Sequence, residues 1–157
     1  MLSDFLGSIW RRTPKFIKRN IMTMTHPRFA VTVGAIITDD QGRVLLFKHH
    51  FRPGSGWGMP GGYIDKHEQP LEALHRELQE EVGLELKNVE LFTTRAFSKP
   101  LQVEIIFRST AVGEPAQLNY EIEKAEWFLP NALPPQLPKD QKELIERAFA
   151  DGANRQD

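Results

Sequence analysis

Three glutamates crowd one short segment of the sequence, HRELQEEVGL at residues 75–84. On an ideal helix, where each residue advances about 100°, Glu77, Glu80 and Glu81 fall on one side. Like charges at these spacings should destabilise the helix, and a helix C-terminus disfavours anions. A divalent cation would resolve this conflict, because Mg²⁺ or Mn²⁺ takes carboxylate oxygens and shares them with substrate phosphates. A solvated acidic face is the alternative explanation of the same residues.

The sequence around these acids predicts the helix that carries them, over residues 69–82. Spacings of three and four residues form one apolar stripe, made of Leu71, Leu74, Leu78 and Val82. Pro70 suits the first turn of this helix, and Gly83 suits the left-handed position after its last turn. We expect the three acids to lie beside the stripe, at the edge of whatever the helix packs on.

Alternating or continuous apolar residues predict strands before and after this helix. The predicted strands are 29–38, 43–50, 89–97, 101–112 and 122–129, and a closing helix is predicted at 139–150. Residues 51–62 hold five glycines and two prolines, which predicts a loop with special backbone angles. Strands on both sides of a central helix predict a mixed α/β fold in which helices cover a sheet.

Length and composition exclude several classes of protein. The chain has 157 residues, a formal net charge of −1 and no cysteine. It therefore lacks disulfides, thiolate metal sites and cysteine nucleophiles, and a reducing, cytoplasmic location is expected. No stretch approaches the roughly 20 apolar residues of a membrane span, so none is predicted. This length suits a single main domain.

Residues 1–28 form a predicted basic amphipathic arm outside that domain. The stretch RRTPKFIKRN, residues 11–20, holds five cations and no acid. Such an arm can contact anionic lipid or nucleic acid. A short amphipathic helix that packs on the domain or on a second subunit is the alternative. The nearly neutral overall charge argues against a dedicated nucleic-acid binder.

The stretch GGYIDKHEQPLEALHRELQEEVGL resembles the signature of the Nudix family. From Gly62 it runs through five residues to Glu68 and seven more to Arg76, and then reads RELQEEVGL, which matches the Nudix box at every specified position. The wider resemblance covers residues 29–149 and includes the WGMPGG lead-in and the EIEKAEWFLPNALP tail. It implies a Nudix domain at 29–157, folded as an α/β/α sandwich with a mixed sheet and the box as a loop–helix–loop.

The same resemblance implies roles for the box residues. Glu77, Glu80 and Glu81 correspond to the ligands of Mg²⁺ or Mn²⁺, and the backbone carbonyl of Gly61 or Gly62 is a further candidate. Glu68 and Arg76 correspond to a buried pair of the catalytic machinery that braces the loop against the helix. The family does not fix the base that takes a proton from the attacking water. The candidates, in order of preference, are Glu121, Glu80 and Glu104.

Substrate-binding residues are predicted from residue type near the box. Trp57, Phe51, Tyr63 and Phe97 could stack a base, Arg52 and Arg95 could hold phosphates, and Glu104 lies on the polar face of its strand. Core packing is the alternative for each aromatic. His49, His50 and His67 are expected to be ordinary surface or loop histidines.

The resemblance implies hydrolysis of a pyrophosphate bond in a small nucleoside diphosphate derivative. Pro100 lies sixteen residues after Leu84, which is similar to members acting on ADP-ribose and favours nucleotide-sugar or ADP-ribose-like substrates. Two alternatives stay open. One is hydrolysis of nucleoside triphosphates or of the 5′ end of RNA, which is not favoured. The other is a non-catalytic nucleotide-binding regulator. Family members often form homodimers, and the arm could be exchanged between subunits.

Overall fold

The computed structural model describes residues 2–153, with side chains described for residues 5–151. Met1 and residues 154–157, which the predicted arm and domain include, lie outside the described residues. The elements in chain order are α1 (Leu2–Arg12), α2 (Lys15–Thr25), β1 (Ala30–Thr38), β2 (Val44–His49), β3 (Trp57–Gly58), β4 (Gly61–Tyr63), α3 (Pro70–Val82), β5 (Glu85–Ser98), β6 (Leu101–Val112), β7 (Ile122–Phe128) and α4 (Lys139–Ala153).

A seven-stranded mixed sheet organises the body. β1 runs parallel to β6 along its whole length, and β5 pairs antiparallel with the other side of β6. On its second side β1 pairs antiparallel with the short strand β4, in a register that places Gly34 opposite Gly61. β2 carries β3 and β7 as antiparallel partners. The β1–β4 pairing matters for function, because it fixes the glycines that precede α3.

Helices cover both faces of the sheet. One core cluster joins α3 to residues such as Val33, Ile37 and Phe107, and the other joins α4 to Ile36, Leu46 and Ile106. The α/β/α sandwich expected from the sequence is therefore confirmed. The central strand β1 is buried on both faces over most of its length, since two helix layers pack on it.

The predicted helix of the box is α3, and its ends are set by the expected residues. Pro70 occupies its first turn, and a capping box between Gln69 and Glu72 closes its N-terminus. Gly83 ends it in the left-handed conformation, with φ of 65°. The loop–helix–loop arrangement thus follows from local residue choice.

The buried face of α3 differs from the predicted stripe. Leu71 is 41% exposed, whereas Ala73, Leu74, Leu78, Val82 and also Glu81 are buried. The centre of the buried face is rotated about the helix axis by about 45°, toward the acids, relative to the centre of the predicted apolar stripe. The reason is that Ala73, a small residue left out of the stripe, contacts the sheet at 0% exposure. The expectation that all three acids lie beside the buried face is wrong for Glu81.

The predicted basic arm consists of α1 and α2. No residue between 5 and 28 is buried, and neither core cluster includes one of them. Across the described residues, no helix combines the length and apolar character needed to cross a bilayer.

Candidate active site

Four carboxyl groups interact at the C-terminal half of α3. Three belong to Glu77, Glu80 and Glu81 of the helix, and the fourth belongs to Glu121 in the loop before β7. Glu81 is only 4% exposed, and its Oε2 has no hydrogen-bond partner within the described part of the chain. Burial, and next the charge of Glu77, raise the pKa of Glu81 to about 8. Burial also raises the pKa of Glu77, with smaller contributions from Glu80 and Glu121. The cluster is therefore partly desolvated, and without a cation its buried members resist ionisation.

Arg76 braces the loop before α3 against the helix. Its Nε and Nη2 donate to the two carboxylate oxygens of Glu68 at 2.8 and 3.0 Å, and Nη2 also donates to the Tyr63 carbonyl at 3.0 Å. The hydrogen bond from Arg76 lowers the pKa of Glu68. The pair links the residues that the box assigns to it, but it is half-buried rather than buried, since Arg76 keeps 28% of its side-chain surface exposed.

Gly61 and Gly62 let the backbone come close to its neighbours. Gly61 has φ of 146°, and a Cβ added there would overlap the carbonyl oxygen of Val33 in β1. A Cβ added at Gly62 would overlap the carboxyl group of Glu77. The Glu77 carboxylate therefore lies directly against glycine backbone, in a space that any side chain at position 62 would fill.

These features fit a hard divalent cation. The Oε2 of Glu81 is buried without a hydrogen-bond partner in the described residues, and burial raises the pKa of both Glu77 and Glu81. Glycine backbone lies directly against the Glu77 carboxyl group. All three observations suit a site for a positive charge. Among residues 5–151, no three His, Cys, Asp or Glu side chains stand in a ready-made ligand arrangement. Arg76 accounts for this, since its Nη1 lies 3.1 Å from Glu77 and 3.4 Å from Glu80. The ligand assignment stays a prediction.

Glu121 is held beside the acid cluster by Asn119. The backbone N–H of Asn119 donates to the Glu81 carbonyl at 2.9 Å. The side-chain oxygen of Asn119 in turn accepts the backbone N–H of Glu121 at 2.9 Å and that of Ile122 at 3.2 Å. This Asx-type turn ties the loop before β7 to the end of α3. It explains how an acid forty residues after Glu81 comes to interact with Glu77 and Glu81.

A cleft of about 390 Å³ lies next to these glycines. Its lining residues are Thr32, Val33, Phe51, Arg52, Met59, Pro60, Gly61, Gly62, Tyr63, Gln102, Glu104 and Gln141. Arg52 is the principal cation in it. Its Nη1 is buried without a hydrogen-bond partner among the described side chains and backbone, in the space that a Cβ on Gly58 would fill. Burial lowers the pKa of Arg52, and the charges of Glu81 and Glu104 oppose that shift, so Arg52 interacts electrostatically with the acid cluster and also lines the cleft.

The first turn of α4 closes one side of the cleft. Arg95 on β5 pairs with Glu104 on β6 and, at 2.6 Å, with Asp140. Gln141 accepts the backbone N–H of Met59 at 2.8 Å and lines the cleft. Sequence analysis missed Asp140 and Gln141, because they lie 45 and 82 residues from these partners and no local pattern marks them.

The predicted aromatic contacts divide into two groups. Tyr63 and Phe51 line the cleft with exposed rings. Trp57 instead packs edge-on against Phe128, with ring centroids 5.2 Å apart, and belongs to the core beside α4. The Arg95 guanidinium lies over the Phe97 ring, with its Cζ 4.9 Å from the centroid of that ring. The structure therefore brings Tyr63 to the cleft and places Trp57 and Phe97 outside its lining.

His49 differs from the surface histidine expected from the sequence. It ends β2, and its Nε2 is buried without a hydrogen-bond partner within the described residues. Burial, and next the charge of Arg52, lower the pKa of His49 to about 4. His50 and His67 are exposed, as expected.

We therefore expect His49 to make stability depend on pH. Its pKa in the folded protein lies below the ordinary 6.5, so the unfolded chain binds the extra proton between pH 6.5 and about 4. Stability should consequently fall as the pH drops through that window. Thermal unfolding of the wild type and of His49→Gln, followed from pH 7 to pH 4.5, checks this. A His50→Gln control should keep the wild-type slope, and an unchanged slope in His49→Gln would contradict the expectation.

Comparisons with known proteins agree with this geometry. The model of the NUDIX domain matches residues 28–148. A MutT NUDIX hydrolase of Burkholderia pseudomallei is similar in structure, with a TM-score of 0.68 and 30% identity, over 76% of this chain and 98% of that one.

Two curated relatives are described as RNA pyrophosphohydrolases. The protein from Saccharophagus degradans is 48% identical over 63 residues, which are 40% of this chain and 36% of the relative. The protein from Ectopseudomonas mendocina is 35% identical over 102 residues, which are 64% of this chain and 60% of the relative. The matched part of the chain thus spans between about a third and three fifths of the length of these relatives.

Proposed function

The chain belongs to the NUDIX family, and from that premise we propose that it is a divalent-metal-dependent hydrolase of phosphoanhydride bonds in nucleotide derivatives. One observation carries this proposal. The buried Glu81 carboxyl group, with one oxygen unpartnered, interacts electrostatically with Arg52, whose buried Nη1 is also unpartnered and which lines the cleft. An anionic site for a cation therefore adjoins a cationic site for a phosphate.

The residues of the site would have three roles: binding the metal ion, binding a phosphate and holding the loop in place. Glu77, Glu80 and Glu81, with a carbonyl of Gly61 or Gly62, would hold Mg²⁺ or Mn²⁺, which supplies charge neutralisation and a more acidic water. Arg52 would bind a phosphate oxygen from within the cleft. The Arg76–Glu68 pair holds the glycine loop against α3, which keeps the ligand carboxylates and the cleft in fixed relation.

Glu121 is the preferred base among the three candidates. Glu104 is engaged by Arg95 and faces Arg52, and Glu80 lies 3.4 Å from the Arg76 guanidinium. A carboxylate paired with a cation is less available to a water molecule. Within the described residues Glu121 has no ion pair with a basic side chain; its side-chain hydrogen-bond partner is the Tyr120 hydroxyl, and its backbone is fixed by Asn119. It would take the proton from the attacking water.

We expect Glu121→Gln to lower kcat by about a hundredfold or more with KM little changed, because a positioned base contributes on that scale. Steady-state kinetics with Mg²⁺ checks both kcat and KM. Glu123→Gln is the matched control, since Glu123 pairs with Lys48 at 2.7 Å and is not among the residues that line the cleft. Unchanged turnover in Glu121→Gln would remove the base assignment and leave the ligand assignment in place.

Nucleotide-sugar or ADP-ribose-like molecules are the first substrate candidates. The volume of the cleft, about 390 Å³, lies in the range of small-molecule sites. Phe51 and Tyr63 offer exposed rings for a base, and Gln102 and Gln141 offer polar groups for a sugar.

RNA with a 5′-terminal phosphoanhydride is the second substrate candidate. The names of the curated relatives support it, because both are called RNA pyrophosphohydrolases. The 5′ end of an RNA would bind in the cleft, and the nucleotides after it would lie along the protein surface. A nucleotide sugar would bind within the cleft.

A hydrolysis panel distinguishes these candidates. Nucleotide sugars, ADP-ribose, dinucleoside polyphosphates, nucleoside triphosphates and 5′-triphosphorylated RNA are incubated with Mg²⁺ and with Mn²⁺, and Glu81→Gln serves as the blank for contaminating activity. We expect metal-dependent release of nucleoside monophosphate from the first two substrates. Preferential turnover of RNA ends would select the second candidate. Binding without turnover of any substrate would overturn the proposed hydrolase and favour a regulator.

A further inference from the structure

The helices α1 and α2 present apolar faces that nothing in the described chain covers. On α1 these are Phe5, Leu6, Ile9 and Trp10, and on α2 they are Phe16, Ile17, Ile21 and Met24. Exposed fractions of these side chains run from 37% to 87%. A monomeric protein rarely exposes a contiguous apolar surface of this size without a partner for it.

The apolar faces lie opposite basic ones. At about 100° per residue, Phe16, Ile17 and Ile21 lie within one half of α2, and Lys15, Lys18 and Arg19 lie within the other. On α1, Arg11 and Arg12 fall outside the arc of its apolar residues. Both helices are therefore amphipathic in the manner of helices that lie in a membrane interface, with aromatic and aliphatic residues on one side and cations on the other.

Charge is unevenly divided between the arm, residues 1–28, and the rest of the chain. Residues 1–28 hold six of the 20 basic residues and one of the 21 acids, which gives this segment +5 and the rest of the chain −6. Among the side chains of residues 5–151, no carboxylate lies within ion-pair distance of Lys15, Lys18, Arg19 or Arg28. The same four cations, with His26 and Met22, line a shallow crevice of about 470 Å³. This segment thus complements an anionic surface.

We propose that α1 and α2 dock on a membrane that contains anionic lipids, with the apolar faces in the interface and the cations at the headgroups. RNA would account for the cations but not for the exposed aliphatic face, since nucleic acid is bound by charge and by aromatic stacking. A second copy would cover the apolar faces, but joining two arms would bring together two segments of like charge. An anionic bilayer satisfies both properties at once.

Vesicle flotation of the full chain tests this surface. Vesicles are made of phosphatidylcholine alone or with about 30% phosphatidylglycerol, at low and high salt. The apolar-face variant is Ile17→Ser with Ile21→Ser. The matched control is Leu91→Ser with Leu118→Ser, which replaces two exposed leucines of the body. Circular dichroism and hydrolytic rate report whether each variant keeps the fold.

We expect the wild type to bind the anionic vesicles at least about tenfold more tightly than the neutral ones, and less tightly at high salt. The Ile17 and Ile21 variant should lose this binding, and the Leu91 and Leu118 control should keep it. Equal binding to both vesicles, or none, overturns the proposal. So does binding of single-stranded RNA that the apolar variant retains and Lys18→Ser with Arg19→Ser loses. A wild-type dimer that the apolar variant converts to a monomer, without vesicle binding, assigns the surface to a second copy instead.

Discussion

Replacing Glu81 by glutamine is expected to lower turnover by at least about a hundredfold and at the same time to stabilise the metal-free protein. The carboxylate is buried, one of its oxygens has no hydrogen-bond partner in the described structure, and Glu77 and Glu121 repel it. Glutamine keeps the size of the side chain and cannot ionise. We expect a gain of about 1 kcal/mol or more in unfolding free energy without metal at pH 7, because a carboxyl group whose folded-state pKa is raised costs stability above its ordinary pKa and glutamine removes that cost.

Addition of Mg²⁺ should reverse the order of stability, so that the wild type becomes more stable than Glu81→Gln. A cation that binds the folded state raises the melting temperature of the wild type, but Glu81→Gln lacks the ligand charge that binds it. Thermal unfolding with chelator and with Mg²⁺, beside steady-state kinetics, measures both effects. Glu85→Gln, which changes an exposed acid at the start of β5, should leave turnover and both melting temperatures unchanged. Normal turnover in Glu81→Gln, or equal stabilisation of both proteins by Mg²⁺, would refute the ligand assignment.

The second large effect is expected from Gly62→Ala, which should abolish most turnover while the fold survives. The added Cβ meets the carboxyl end of Glu77, a flexible side chain that can move aside. The substitution should therefore displace the Glu77 carboxylate and leave the backbone in place. We expect a loss of about a hundredfold in kcat, similar to losing one strong electrostatic contact to the transition state.

Gly61→Ala provides the matched contrast. Here the added Cβ meets the backbone of β1 at Val33, and φ of 146° is itself unfavourable for alanine. We expect a loss of about 2 kcal/mol or more in stability, because neither strand can move without breaking the β1–β4 pairing. Thermal unfolding and kinetics of both variants separate the two roles. A destabilised Gly62→Ala, or a Gly61→Ala protein as stable as the wild type, would contradict this division.

The helix of the site and the strands β1 and β6 are confirmed, whereas the loop predicted over residues 51–62 is wrong where β3 and the start of β4 lie in it. Pro70 and Gly83 fixed the ends of α3 because capping depends on residues within one turn of a helix end. Alternation predicted β1 and β6 because side-chain direction along a strand repeats every two residues. The box pattern then identified the family, since its acids, arginine and glycines have fixed spacings along one continuous segment.

Only the tertiary structure decided how α3 is turned and what faces it. The rotation that buries Glu81 depends on close contact of Ala73 with the sheet, which hydrophobicity along the helix does not reveal. Whether Trp57 enters the cleft or the core depends on Phe128, seventy-one residues later. An aromatic residue near a motif carries no local sign of which neighbour it meets.

The sequence by itself determined the family, the order of the elements other than β3 and β4, and the acids of the box, because these follow from patterns within single segments. The tertiary structure decided the rest: the electrostatic interaction of Arg52 with Glu81, the place of Gln141 in the cleft lining, and the exposure of α1 and α2. The physical reason is that burial, pairing and pKa depend on which distant segments the sheet register brings together. That register is set by the packing of the whole chain rather than by any one stretch of it.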